Sequence, residues 1–569
     1  MRLLRPTLAV PRFLFTTALV ALSITAVAQR PAPHTRPDGV FFQPGNLVIS
    51  RSVYDNNPGA VQVGEPLPPN CTGQPAGCAG NATYDGTYPL VWNNDLVDGS
   101  FGITSRIELD QYTPAGQLVN SVEVPNSDNF LIGPTPSKRD QLVTSFSSKS
   151  EIALNLSTDG TKLTFMGYVA PVNAVDISNS NTPGILDPTN QVVSQNYRAV
   201  ADVDAYGMFH FTETRAYSGN NGRAAVLNNS NGANYFYLSG NAGNGGNPQP
   251  DGIIIGAGAQ FVVPSTLPEV QQNPPNPSDP LASFSITQLG DKLDKVGKDT
   301  NFRGLTIFNN VVYYTKGSGG NGVNTVYWVD PTLQVCNDNN GIGLPPANAQ
   351  LPTMPLMYNH DHNVIQSKGL DPNNMCVLKG FPTALKSKTS FPFGVWFADP
   401  NTLYVADEGN GDNTYSNGMY TVAAGQKTAG LQKWIFDPNA QQWNLAYTLQ
   451  NGLNLGVPYT VPGYPTGNNP ETNLPWAPGT DGLRNITGIN NNDGTATIYA
   501  ITSTVSGNGD QGADPNMVVV ITDMISATQL PPDESFSVFA AAKNLEVLRG
   551  VSFTPVVPDQ HLGVRAGLR

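Results

Sequence analysis

The sequence predicts an all-β chain folded as a single β-propeller of six or seven four-stranded blades, and three observations carry that expectation. First, a phrase recurs. FRGLTIFNNVVYY from Phe302 has relatives in GRAAVLNNSNGANYFYL from Gly222, LRNITGINNNDGTATIYAI from Leu483 and LRGVSF from Leu548, while FGVWFADPNTLYVA from Phe393 keeps the pattern without the arginine. Each full copy joins an alternating apolar run to a second β-rich run through a tight turn, which is the signature of a β-hairpin. Second, the 569 residues include 57 Gly and 48 Pro but only 13% charged residues, a mixture suited to many turns between short strands. Third, the two ends of the chain complement one another, as the order of elements shows.

Residues 1–28 read as a leader and 29–44 as a loose Pro-rich segment, with the propeller expected over 45–557 and a tail at 558–569. GNLVISRSVY (Gly45 to Tyr54) alternates as a strand and is followed by an irregular insertion, 55–104. SRIELDQYT from Ser105 and QLVNSVEVP from Gln117 flank the turn Pro114-Ala115-Gly116. These three strands have no inner partner of their own. The hairpins EIALNLSTDGTKLTFMGYVA from Glu151 and RAVADVDAYGMFHFTETR from Arg198 make a four-stranded unit.

The next unit starts at Gly222 and continues through GIIIGAGAQFVV and SFSITQL, the last at Ser283 to Leu289. Another starts at Phe302 with TVYWVD, and further irregular insertions are expected at 335–388 and 452–482. The unit from Phe393 continues with LQKWIFDPNAQQWNLAYTL, and the unit from Leu483 with MVVVITDM and SFSVFAAA. Five units are complete. The sixth is split: LRGVSFTP (Leu548 to Pro555) is an inner strand with nothing after it, so joining it to the N-terminal strands closes the ring and leaves no open sheet edge. A seventh blade is the alternative if residues 335–388 hide a degenerate one.

Net charge is −13 with pI near 4.8, which argues against a nucleic-acid partner because phosphates would be repelled. Arg2, Arg5 and Arg12 precede an apolar stretch from Phe13 to Val27 that ends Ala26-Val27-Ala28, the arrangement of a secretory signal peptide. The apolar core is short for a bilayer of about 30 Å, so export to the periplasm or beyond is expected, without membrane insertion and as a monomer. Four cysteines, Cys71, Cys78, Cys336 and Cys376, allow three pairings in an oxidising compartment. The short loop CTGQPAGC favours Cys71 with Cys78, leaving Cys336 with Cys376.

Four sets of residues could carry chemistry. Arg223, Arg303, Arg484 and Arg549 begin four inner strands and could gather carboxylate, phosphate or sulfate groups at the channel mouth, or else lock blade to blade. The loops after the second strands are rich in Gly and Asn, and the most oxygen-rich, Asp407-Glu408-Gly409-Asn410-Gly411-Asp412-Asn413, could wrap Ca²⁺ through Asp407, Glu408 and Asp412, although it lacks the closing Glu of an EF-hand. His360 and His362 alternate within the Cys336 to Cys376 insertion and are weaker metal candidates. Tyr459, Tyr464 and Trp476 in the 452–482 insertion could stack on a sugar or pin the loop to the ring. No GxSxG, HExxH or P-loop occurs. STDGT at Ser157 resembles a sialidase Asp-box but lacks its spacer, and a DG hairpin accounts for it.

The phrases STDGTKLTFMGY, TLYVADEGNG and LRGVSF resemble those of secreted bacterial β-propeller proteins of the broad YVTN/NHL-like kind, over nearly the whole mature chain. The resemblance implies architecture, since such propellers host unrelated functions. The expected function is non-enzymatic binding of a protein, glycan or small anion on the loop-rich face. The alternative is a Ca²⁺-assisted hydrolase of the lactonase or esterase type.

Overall fold

Six sheets form the ring, five of them starting from an inner strand that the recurring phrase marks. The structure is a computed structural model that describes residues 39–558 except 56–61, 65, 68–81, 84–92, 95–97, 126–141, 145–151, 175–176, 186–193, 242–257, 265–278, 283–300, 318–322, 339–340, 356–373, 385–389, 471 and 509–510. The leader, the Cys71 to Cys78 loop, His360, His362 and the expected strand Ser283 to Leu289 therefore lie outside the described residues. Among those described, no helix is long and apolar enough to cross a membrane.

Blade one is the clasp. Its inner strand is Glu546–Phe553 from the far end of the chain, followed outward by Leu47–Val53, Arg106–Tyr112 and Leu118–Glu123. The pairing of Leu47 with Phe553 and Val53 with Glu546 joins the two ends antiparallel, as the split sixth unit requires. Blade two runs from a two-residue inner strand, Asn155–Leu156, through Lys162–Tyr168 and Arg198–Asp204 to Phe209–Thr214. Blade three comprises Gly222–Asn228, Tyr235–Gly240, Ala259–Val262 and Asp279–Ala282. Blade five comprises Pro392–Asp399, Thr402–Asp407, Gly430–Asp437 and Gln442–Leu449, and blade six Gly479–Asn490, Thr495–Val505, Met517–Met524 and Ser537–Ala541. The hairpin at the centre of the recurring phrase turns through Asn309 and Asn310, both at positive φ (48° and 59°), as a two-residue turn between twisted strands demands.

Blade four departs from the expected pattern. Its strands Phe302–Phe308, Val311–Lys316 and Thr325–Val329 are followed by Met375–Leu378, and Ile342–Gly343 adds a fifth strand parallel to that one. The irregular region thus extends blade four, and the blade count is six. Two features hold the extension. The Cys336–Cys376 disulfide closes it with Cα atoms 5.2 Å apart. The wholly buried Trp328 donates its indole N–H to Gly343 O at 3.0 Å.

The two ends of the ring differ. Antiparallel pairing puts the start of each inner strand beside the end of its second strand, as in Gly222 with Gly240, Phe302 with Lys316 and Gly479 with Val505. The second-to-third-strand connections, including 408–429 and 506–516, all leave at this end, where the 450–478 connection also enters blade six. The opposite end carries the tight first hairpins and the 330–374 excursion of blade four.

Candidate functional site

One backbone irregularity positions the arginines. In five sheets the register between inner and second strand slips at the same place: between Gly222 and Ala224, Phe302 and Leu305, Pro392 and Val395, Leu483 and Ile486, and opposite Ser50 and Arg51, where Arg549 is skipped. A β-bulge takes a residue out of the ladder and re-aims its side chain. After Arg303 and Arg549 the next residue is glycine for a related reason. A Cβ at Gly304 would overlap Phe393 O, and one at Gly550 would meet Ile152 O at 2.5 Å, so only glycine lets adjacent inner strands approach this closely.

All four arginines are buried. Arg223 donates from Nη1 to Asn301 Oδ1 and, at 3.0 Å, to Phe302 O of blade four. Arg303 of blade four and Arg484 of blade six converge on one carboxylate of blade five: Arg303 Nη2 lies 3.5 Å from Glu408 Oε1, and Arg484 Nε lies 3.4 Å from Glu408 Oε2. Both guanidinium groups also stand over the Phe393 ring, at 5.7 and 6.0 Å. Phe393 thus occupies the position where blade five lacks the arginine. Arg549 donates to Ser52 Oγ at 3.1 Å and Tyr54 Oη at 3.3 Å within its own blade.

The three calcium candidates have separate partners. Asp407, wholly buried, accepts hydrogen bonds from Phe391 N at 2.8 Å, Gly409 N at 3.0 Å and Gln432 Nε2 at 3.1 Å. Burial nevertheless pushes its carboxyl up to about 6. Glu408 faces the arginines, and exposed Asp412 accepts Thr414 N at 2.9 Å. Among the described residues, the grouping of three acidic, His or Cys ligand atoms within 4.8 Å of one another is Asp330 with Cys336 and Cys376, where both sulfurs are in the disulfide.

The long connections of blades five and six form an anchored shelf over this end of the ring. The 408–429 connection contains a hairpin, Tyr415–Ser416 with Met419–Tyr420, whose turn passes through Asn417 and Gly418 at positive φ. Asp481 holds its base, accepting Gly411 N at 2.8 Å and Gln426 Nε2 at 2.5 Å. Buried Tyr420 reaches Ala477 O at 2.8 Å, and Asn413 Nδ2 donates to Ser506 O at 3.0 Å. In the 450–478 connection Tyr464 donates to Asp514 at 2.7 Å and Tyr459 to Pro515 O at 2.8 Å, while Trp476 is buried. The three aromatics in this connection thus face protein.

A further cluster escaped the sequence reading. Lys433 and Asp523, both wholly buried, form an ion pair of 2.8 Å between blades five and six, with Tyr404, Tyr447 and Glu534 around it. The available signal was a lysine and an aspartate inside otherwise apolar strand runs, GLQKWIFD and MVVVITDM, since such residues are rarely buried without a partner.

No family model matches the chain, and no curated protein matches it. Solved structures align at low similarity. A GH74 enzyme from Niastella koreensis is 9% identical with a TM-score of 0.30, covering 75% of this chain and 44% of that one. A sialidase from Streptococcus pneumoniae is 8% identical with a TM-score of 0.28, covering 72% and 61%. Prolyl oligopeptidase B from Galerina marginata is 8% identical with a TM-score of 0.25, covering 82% and 45%. This chain thus matches less than two thirds of each.

Proposed function

We propose that the chain is a secreted, non-enzymatic propeller of the YVTN/NHL-like kind that binds a protein, a glycan or a small anion on the end of the ring bearing the long connections. The anchored shelf carries this reading. Connections of that length tied down by buried Tyr420, Tyr464, Asp481 and Asp514 present a preorganised surface, which lowers the ordering cost of binding. The Cys336–Cys376 disulfide suits an oxidising compartment.

Binding is tested on purified protein with a glycan array and with calorimetric titration of sulfate, phosphate and citrate, repeated after the exposed hairpin tip Ser416–Met419 is replaced by a shorter turn. Loss of binding at unchanged melting temperature supports the shelf; binding indifferent to the tip removes it. Metal analysis and an ester and lactone panel accompany the assay. Turnover abolished by chelator would replace this reading with the Ca²⁺-assisted hydrolase. Arg303→Ala separates the two arginine roles: a larger loss of anion affinity than of thermal stability puts the arginines in a ligand site, and the reverse assigns them to blade packing.

A further inference from the structure

We propose that Lys433 and Asp523 condense spontaneously into an intramolecular amide, a covalent clasp between the third strands of blades five and six. The inference is independent of what the loop-rich end binds.

Lys433 Nζ lies 2.8 Å from Asp523 Oδ2 with both side chains wholly buried, so amine and carboxyl are held in van der Waals contact in a dry site. Contact held in this way gives an intramolecular reaction a very high effective concentration. The surroundings supply the other groups that amide formation needs. Tyr404 Oη donates to Asp523 Oδ2, and Tyr447 Oη donates to Asp523 Oδ1 at 2.6 Å, so two phenols polarise the carbonyl and can stabilise negative charge on it. Burial and the neighbouring Asp523 carboxylate raise both phenols above their ordinary range, which keeps them protonated donors. Glu534, in the connection after the Asp523 strand, accepts Met524 N at 3.1 Å beside the Asp523 carboxyl. Burial, with the neighbouring Asp523 carboxyl next, pushes its carboxyl up to about 7, where a carboxyl can both give and take a proton. Lys433 Nζ also donates to Tyr447 Oη at 2.9 Å and Met524 O at 2.6 Å, which fixes the amine against the carboxyl.

The step balances without any co-reactant. A proton passes from the Lys433 ammonium to the Asp523 carboxylate, exchanging two buried charges for a neutral amine and a neutral acid. The amine lone pair attacks Asp523 Cγ, forming the N–Cγ bond, while the phenols of Tyr404 and Tyr447 hold the developing oxyanion. Glu534 donates a proton to the departing hydroxyl and receives one from nitrogen. The Cγ–O bond breaks, one water leaves, and Glu534 ends as it began. Glu534 is half-buried, giving the water an exit.

Intact-mass measurement on the reduced, denatured full chain tests the proposal. Wild-type protein should be lighter than its own sequence mass by one water, and digestion should yield one branched peptide joining the Lys433 and Asp523 segments. Asp523→Ala and Lys433→Met should have their full sequence masses. Glu534→Gln, which keeps the ion pair and the fold, should slow formation so that most of the protein carries the unmodified mass. Should the two replacements within the pair fail to fold, the wild-type mass and Glu534→Gln decide alone. Wild-type protein at full mass, with the two segments recovered as separate peptides, overturns the proposal and leaves a buried ion pair.

Discussion

The interface between blades five and six and the four that join blades one to five are closed by different chemistry. In those four, a hydroxyl on one blade's second strand donates to a carbonyl on, or just before, the next blade's inner strand: Ser50 to Ile152 O at 2.6 Å, Thr164 to Ala225 O at 2.6 Å, Ser239 to Arg303 O at 3.3 Å, and Thr315 to Phe393 O. Blade five has Val405 and Ala406 in the corresponding part of its second strand, with no hydroxyl to offer. There Ser503 Oγ of blade six donates back to Glu408 O at 2.5 Å, and the outer part of the interface runs through Lys433 and Asp523, with Tyr404 and Tyr447. Neutral locks are individually weak and interchangeable, whereas a buried charge pair is costly to break and nearly specific to its site. Blades five and six therefore meet through a wholly buried charge pair toward the tight-hairpin end of the ring, while the Glu408 carboxylate shared by Arg303 and Arg484 ties blades four, five and six together at the loop-rich end.

The largest expected effect breaks that charge pair. Asp523→Ala removes the clasp and strands the Lys433 charge, and should cost at least roughly 3–5 kcal/mol, read as a fall in the denaturation midpoint. Replacing Lys433 and Asp523 together by Met and Leu should recover the part of the loss that comes from the stranded charge. If Asp523→Ala behaves like a hydroxyl deletion, the contrast between the interfaces is wrong.

The next effect is acid–base. Asp407 has a folded value of about 6 against an ordinary 3.8, so the folded chain holds this proton more tightly than the unfolded chain. Its contribution to stability is present in full below about pH 4 and is lost as pH rises through about 6, to a total of roughly 3 kcal/mol. Melting temperature should fall over that window, and Asp407→Asn should flatten the profile. A profile that rises instead would show that the surrounding N–H donors outweigh burial.

Smaller effects probe the neutral hydroxyl contacts between blades. Gly304→Ala sets a methyl group against Phe393 O and should cost about 1–3 kcal/mol by overpacking. Thr315→Val removes one hydroxyl that donates to Phe393 O and accepts Gly304 N at 2.7 Å, and should cost about 1 kcal/mol. Ser50→Ala should match it within a few tenths if the neutral contacts are equivalent.

Much of the fold was legible before any coordinates. Alternation and Asn-Asn or Asp-Gly turns are local, so the hairpins of blades two to six and the strands Leu47–Val53 and Arg106–Tyr112 could be placed from pattern alone. The site was legible only in part. That the arginines recur was plain, but their partners were not: Glu408 lies far along the chain from both Arg303 and Arg484, and no local pattern reports that one carboxylate serves two blades. The fifth strand of blade four was hidden because Ile342–Gly343 is only two residues long and is recruited by pairing with Met375–Leu378.

By itself, then, the sequence determined the repeating hairpin, a ring of six or seven blades and the need for LRGVSFTP to close it, because period and turn chemistry act over a few residues. Only the tertiary structure decided where the bulges aim the arginines, which connections fold into a shelf, and that Lys433 meets Asp523. Those outcomes depend on which blades become neighbours when the ring closes, a long-range condition that no stretch of chain carries alone.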